Sequence, residues 1–135
     1  VKWYNDSASS SPTRTIVGLN SFSRRNIILI AGGYDKNLDY EPLAKPVLDN
    51  CKELILIGQT AEKIKNAVEK EMQKDTTGKK LGIHKCDSLL ETIELAKTLT
   101  NKGDIVLFSP ASASFDMFKN FADRGIQFKN LVNKL

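Results

Sequence analysis

Three short stretches of this chain carry residues able to handle charged ligands. The first, "NDSASSSP" (5–12), offers one carboxylate, Asp6, and four hydroxyls, on Ser7, Ser9, Ser10 and Ser11. A lone carboxylate at a strand end can accept hydrogen bonds from ribose hydroxyls or help cap the next helix. The second, "AGGYDKN" (31–37), has two glycines that permit backbone conformations closed to other residues, and then Lys36, a compact positive charge. It reads either as a tight turn with a surface lysine or as half of an anion site. The third, "SPASASFDMFKNF" (109–121), sets Ser109, Ser112 and Ser114 among small residues that let a ligand reach the backbone. A helix starting after it would add unpaired N–H groups and a partial positive charge. Ser114 as N-cap, with Asp116 supporting the first turn, is the plain structural alternative.

Other catalytic constellations are missing. Neither GxGxxG nor GxxxxGK[ST] occurs. The serines have no general base, because the single histidine, His84, falls in a weak strand candidate and reads as a core or surface residue. Cys51 and Cys86 lack the close spacing of metal-ligand pairs, so two reduced, mostly buried thiols are expected. The net charge of +4 is mild and the lysines are scattered, which argues against a nucleic-acid groove. No apolar run approaches the roughly 20 residues needed to span a bilayer, and no signal peptide is visible. Asn5-Asp6-Ser7 is therefore a glycosylation match without a secretory setting.

The three stretches must be positioned by the elements around them. "NIILIAG" (26–32), "ELILIG" (53–58) and "DIVLFS" (104–109) are apolar on successive residues, as in strands buried on both faces of a mostly parallel sheet. "VKWYN" (1–5) and "LGIHKC" (81–86) are weaker strand candidates. Pro12 suits the first turn of a helix over about 12–22. Residues 60–74 place Ile64, Val68 and Met72 on one helical face behind Thr60 as N-cap. Residues 88–100 open with the capping box Ser88…Glu91, and a last helix carries "FKNLVNKL". Strict alternation of strands and helices predicts one doubly wound α/β domain over 1–135, with helices on both faces and right-handed connections. Ligands of such sheets bind beyond the carboxyl ends of the strands, where all three polar stretches fall. The chain starts without methionine inside a strand, so a piece of a longer protein is expected.

Taken together, "YNDSASSSPTRT", "ILIAGGYDKNLDYEPLA", "LILIGQTAEKI" and "DIVLFSPASASFDMFKNFADRGIQF" resemble the C-terminal domain of the Mur ligases, in particular the D-glutamate-adding kind. The resemblance covers almost the whole chain in the right order. It implies a Rossmann-like domain of a cytoplasmic, bacterial, three-domain enzyme of peptidoglycan synthesis, expected to be monomeric. It implies ATP and Mg2+ as cofactors of the full-length enzyme, and UDP-N-acetylmuramoyl-L-alanine and D-glutamate as its other partners. By the same resemblance, Lys36 and Ser10 would hold the α-carboxylate of D-glutamate. Ser114, backbone near Phe115 and the amide of Phe121 would hold its side-chain carboxylate. Asp6 would contact ATP, at its ribose. No catalytic or metal-binding residue is implied in this stretch, and the isolated domain is expected to be inactive. Two departures stand out: Ser10 replaces a threonine frequent in relatives, and Ala8 stands where many read the lysine of "NDSKAT". The Phe121 assignment demands that a helix restart near Phe121 instead of running on from Ser114. Two other classes remain possible from sequence: a stand-alone Rossmann-type nucleotide-binding module, which lacks its glycine fingerprint here, and a protein-interaction domain, which would leave three polar loops unexplained.

Overall fold

The computed structural model describes residues 1–22, 25–115 and 117–135. Five strands and five helices alternate: β1 (Lys2–Asn5), α1 (Pro12–Asn20), β2 (Ile27–Ala31), α2 (Glu41–Asn50), β3 (Cys51–Leu56), α3 (Ala61–Lys74), β4 (Gly82–Lys85), α4 (Leu89–Leu99), β5 (Ile105–Phe108) and α5 (Phe121–Asn133). All strand pairs are parallel, in the order β1-β5-β2-β3-β4. The expected α/β architecture is therefore present, with strand β3 opening two residues earlier than the apolar run alone indicates.

The apolar runs are buried on both faces, and their alternation sorts them into two cores. Ile27, Leu29, Ala31, Leu54 and Leu56 pack under α1, α2 and α3. Ile28, Ile30, Ile55, Val106 and Phe108 pack under α4 and α5. Phe108 stacks on Phe128 of α5 with ring centroids 4.5 Å apart, and burying each such ring contributes about 2 kcal/mol. The chain steps across the sheet in one direction through α1, α2 and α3, then reverses through α4 to insert β5 between β1 and β2. A fixed crossover hand requires that this reversal be matched by a change of face, which the two cores display.

The insertion of β5 matters for function. It places the carboxyl ends of β1, β5 and β2 side by side, so the three polar loops become neighbours. The loop after β5 leaves toward one face, and those after β1 and β2 toward the other. Ligand crevices form at such switch points.

Capping follows the sequence in part. Ser88 Oγ accepts from Glu91 N at 3.2 Å, while Glu91 reaches back to the N–H of Asp87, one residue beyond the expected Ser88. Thr60 holds the N-cap position of α3 but makes no side-chain cap. Its hydroxyl is drawn into the loop network described below.

Candidate functional site: three loops at the carboxyl edge

The loop after β2 lies against the loop after β5. Gly32 has φ of +112° and donates to Pro110 O at 2.8 Å. A Cβ there would lie 1.9 Å from Ile57 O, and one at Gly33 would lie 2.4 Å from Ala113 O, so both positions exclude side chains. Tyr34 N then donates to Ala113 O at 2.8 Å. Beneath this junction the Tyr40 hydroxyl donates to Ala111 O at 3.1 Å and lies 2.7 Å from Ser112 Oγ. Ser112 Oγ is in turn 2.9 Å from Thr60 Oγ1, which accepts from Gly33 N at 3.0 Å. Thr60 thus joins three segments instead of capping its own helix.

The loop after β1 is tied in by Arg124, which is 1% exposed. Arg124 Nε donates to Ser7 Oγ at 3.0 Å, and its terminal nitrogens donate to Ser7 O and Ser112 O at 2.7 and 2.8 Å. A further nitrogen contact reaches Ser10 Oγ at 3.4 Å. Ser7 Oγ in turn donates a hydrogen bond to Phe121 O at 2.7 Å. Ala111 N donates to Ser9 O at 3.0 Å, closing the ring of three loops. One buried guanidinium therefore holds the serine loop, the loop after β5 and the start of α5 together. Sequence reasoning missed Arg124. The available signal was its spacing: it sits four residues before Phe128, on the same buried face of α5.

Within this frame, Asp35 is fully engaged. Its carboxylate pairs with Lys63 at 2.7 Å and accepts from Asn37 N at 2.8 Å. The Lys63 ammonium and that N–H hold its carboxyl below the usual range. Lys36, the next residue, is exposed and makes no ion pair among the described residues. Its ammonium lies 5.3 Å from the centroid of the Phe115 ring, a cation–π approach that aims it across the junction. Phe115 is 59% exposed and is met edge-on by Tyr34 at 6.0 Å.

Ser114 is buried, but no helix begins there. Met117 N and Phe118 N donate to Ser114 O at 3.3 and 2.9 Å, which closes a turn. The N-cap expected at Ser114 falls instead at Asn120, whose side chain accepts from Asp123 N at 2.8 Å. Asn120 outcompetes Ser114 because its extended backbone and short amide present an acceptor to the third residue of the helix. Asp116 lies outside the described residues. Helix α5 starts at Phe121, seven residues before the "FKNLVNKL" segment, so the Phe121 N–H occupies the first helical position, where no intrahelical acceptor exists. The hydroxyl of Ser114 makes no hydrogen bond among the described residues.

Asp6 closes the far side. Its Oδ2 accepts from Ser9 Oγ at 2.5 Å and from Ser109 Oγ at 2.8 Å. Its Oδ1 is unused by any described residue, and Asp6 lines a groove of about 460 Å³ between β1 and α1. The carboxylate thus does not cap α1, whose N-cap Ser11 has no side-chain cap either. Asn5, the glycosylation match, donates to Gly125 O at 2.8 Å and braces α5.

The remaining candidates are structural. Cys51 and Cys86 are free and buried, and burial pushes both thiols up, which disfavours the reactive thiolate. His84 lies 3.3 Å from Glu53 on the outer strands. Among the described residues no three His, Cys, Asp or Glu side chains converge as a metal site, and no helix is long and apolar enough to cross a membrane.

The structure is a parallel α/β domain that gathers two serine-rich loops, a glycine loop with an exposed lysine and one helix start at the carboxyl edge of its sheet. Residues 1–112 match the family described as Mur ligase, glutamate ligase domain, and the chain belongs to it. Over all 135 residues the chain is 52% identical to UDP-N-acetylmuramoylalanine–D-glutamate ligase of Acetivibrio thermocellus. It is 53% identical to the enzyme of that name from Clostridium novyi (strain NT), and 50% to that of Clostridium botulinum (strain Kyoto / Type A2). In each case it spans 29% of the relative's length.

Proposed function

We propose that this chain is the D-glutamate-binding domain of a three-domain ligase that joins D-glutamate to UDP-N-acetylmuramoyl-L-alanine in bacterial, cytoplasmic peptidoglycan synthesis. The observation that carries this reading is the packing of the three loops against one another at the carboxyl edge. Among the described residues Lys36 has no ion pair and the Ser114 hydroxyl and Phe121 N–H have no hydrogen-bond partner, and all three belong to loops that pack together at the ends of adjacent strands. A dicarboxylate has two charges to satisfy, and the loops at this edge offer a cation and a set of neutral donors. Lys36 with Ser10 suits the α-carboxylate, and Ser114, backbone at Phe115 and the Phe121 amide suit the side-chain carboxylate. Identity of half or more to ligases of that name over the whole chain supports the same assignment.

In the complete enzyme, ATP activates the carboxyl group of the nucleotide substrate as an acyl phosphate, with Mg2+ held by residues outside this chain. The role of this domain is to bind and orient the amine. A D-glutamate clamped at both carboxylates presents its amino group to the activated carbonyl; the C–N bond forms, the C–O bond to phosphate breaks, and phosphate and one proton from the amine leave. Asp6, which lines the groove beside β1, suits a ribose hydroxyl of ATP. The domain alone is inactive, because much of the rate in such a reaction comes from positioning across domains. It acts as a monomer.

The test is a titration of the isotope-labelled protein with D-glutamate. Amide resonances of Lys36, Ser114 and Phe121 shift together. Shifts confined to other loops reject this site.

A further inference from the structure

Lys36 follows an aspartate in the chain, and a free carboxylate one residue away would compete with any ligand for its ammonium. The fold uses up that carboxylate. Asp35 Oδ1 accepts from Asn37 N at 2.8 Å, which closes a turn with Lys36 at its apex. Asp35 Oδ2 meets Lys63 Nζ, from α3, at 2.7 Å. The backbone around Lys36 is pinned as well. Gly33 N donates to Thr60 Oγ1 at 3.0 Å, Tyr34 N to Ala113 O at 2.8 Å, and Asp35 N to Gln59 Oε1 at 3.1 Å. Gly33, Tyr34, Asp35 and Asn37 are thus each held, while the Lys36 ammonium reaches across the junction to the Phe115 ring. The Asp35–Lys63 pair is itself partly exposed, with side chains 24% and 45% accessible, so it adds little to stability. What it changes is the charge beside Lys36.

We propose that Lys63 is a positioning residue of the D-glutamate site: by occupying Asp35, it keeps the Lys36 ammonium available to a ligand carboxylate. The inference rests on the reading that Lys36 binds D-glutamate, and adds the residue that keeps Lys36 competent to do so. Near neutral pH Asp35 is ionised with or without its partner, as an aspartate of ordinary or lowered pKa is. Without Lys63 its carboxylate has two effects. It offers Lys36 a counter-ion one residue away, and it stands as uncompensated negative charge beside a site for a dianion. Both effects come from the charge of Asp35 and not from its shape. Asparagine in its place keeps an acceptor for the Asn37 N–H, and with it the turn, but neither captures Lys36 nor repels a carboxylate.

Steady-state kinetics of the full-length enzyme carrying this domain test it. Lys63→Ala raises the KM for D-glutamate about three- to fivefold, the worth of one partly exposed ion pair, with kcat and the KM for ATP unchanged. Lys63→Arg recovers most of the loss because it keeps the charge. Adding Asp35→Asn to Lys63→Ala returns the constant to within about twofold of wild type, although it removes a second member of the pair. Lys74→Ala, the same charge change about three turns further along α3, leaves the constant alone. An unaltered D-glutamate KM in Lys63→Ala overturns the proposal. So does a double variant no better than Lys63→Ala, because Lys63 would then act on the shape of the loop and not on the charge of Asp35. So does a rise shared by all substrates with a lowered thermal midpoint, which signals a structural role. Lys36→Ala in the same series separates this inference from the reading beneath it. If Lys36→Ala raises the D-glutamate KM and Lys63→Ala does not, the role of Lys63 alone falls. If Lys36→Ala changes nothing, the D-glutamate site falls, and the role of Lys63 with it.

Discussion

The two edges of the sheet treat charge in opposite ways. At the amino edge, charges neutralise one another. Lys52 pairs with Asp104 at 2.6 Å, Asp49 takes both Lys79 and Lys45, and Arg25 donates to the carbonyls of Leu48 and Lys80. At the carboxyl edge, Lys36 and Arg14 have no ion pair among the described residues, and Asp6 uses only one of its oxygens. The loops there are held mainly by hydroxyls, backbone and the buried Arg124, with the Asp35–Lys63 pair bracing the loop after β2. Charge satisfied within the fold supports the fold; charge held unsatisfied on a rigid frame is available to a ligand.

The comparison breaks most visibly at Arg124. Arg124→Ala leaves Ser7 O, Ser7 Oγ and Ser112 O without their donor, and destabilises by about 3 kcal/mol or more in chemical denaturation. A loss under about 1 kcal/mol would mean that the loops hold themselves. Next in size is Lys36→Ala in the full-length enzyme. The KM for D-glutamate rises by about ten- to a hundredfold because a carboxylate loses its charged partner. Stability stays within about 0.5 kcal/mol of wild type, as for an exposed side chain. Unaltered D-glutamate kinetics remove Lys36 from the site.

The amino edge gives the reverse pattern. Lys52→Ala costs about 1–2 kcal/mol and leaves every KM unchanged, since Asp104 is largely buried and loses its counter-ion. The pair also has a pH signature. Burial alone would raise the Asp104 carboxyl, but Lys52 and the Asn101 N–H outweigh it and hold it below the usual range. The folded value thus lies under the unfolded one of about 3.9. The contribution is fully present above that value and is lost as pH falls through the folded value. Urea titrations of wild type and Asp104→Asn converge on acidification below about pH 4, and parallel curves there would refute the pairing. Smallest is Lys79→Ala, at about 0.5 kcal/mol or less by thermal midpoint, because the Lys79–Asp49 pair is a third exposed on each side.

Much of this was legible in the chain because it is local. The isoleucine-rich runs announced strands buried on both faces, Ser88 with Glu91 announced α4, and the order of elements put three polar loops at the carboxyl ends of the strands. Thr60 and Ser114 misled for one reason. A threonine or serine before a helical pattern is a cap only if nothing nearby competes for its hydroxyl or its backbone. Thr60 was claimed by Gly33 and Ser112, 27 and 52 residues away. Ser114 was displaced by Asn120, whose extended backbone made the better cap.

By itself the sequence determined which residues could bind anions, where strands and helices alternate, and that Gly32 and Gly33 stand where side chains are unwelcome. It did so because propensity, burial pattern and backbone freedom act over a few residues. Only the tertiary structure decided that β5 enters between β1 and β2 and that Arg124 is the buried tie among three loops. Those facts depend on which strand lies beside which, a choice made by packing between segments about a hundred residues apart in the chain.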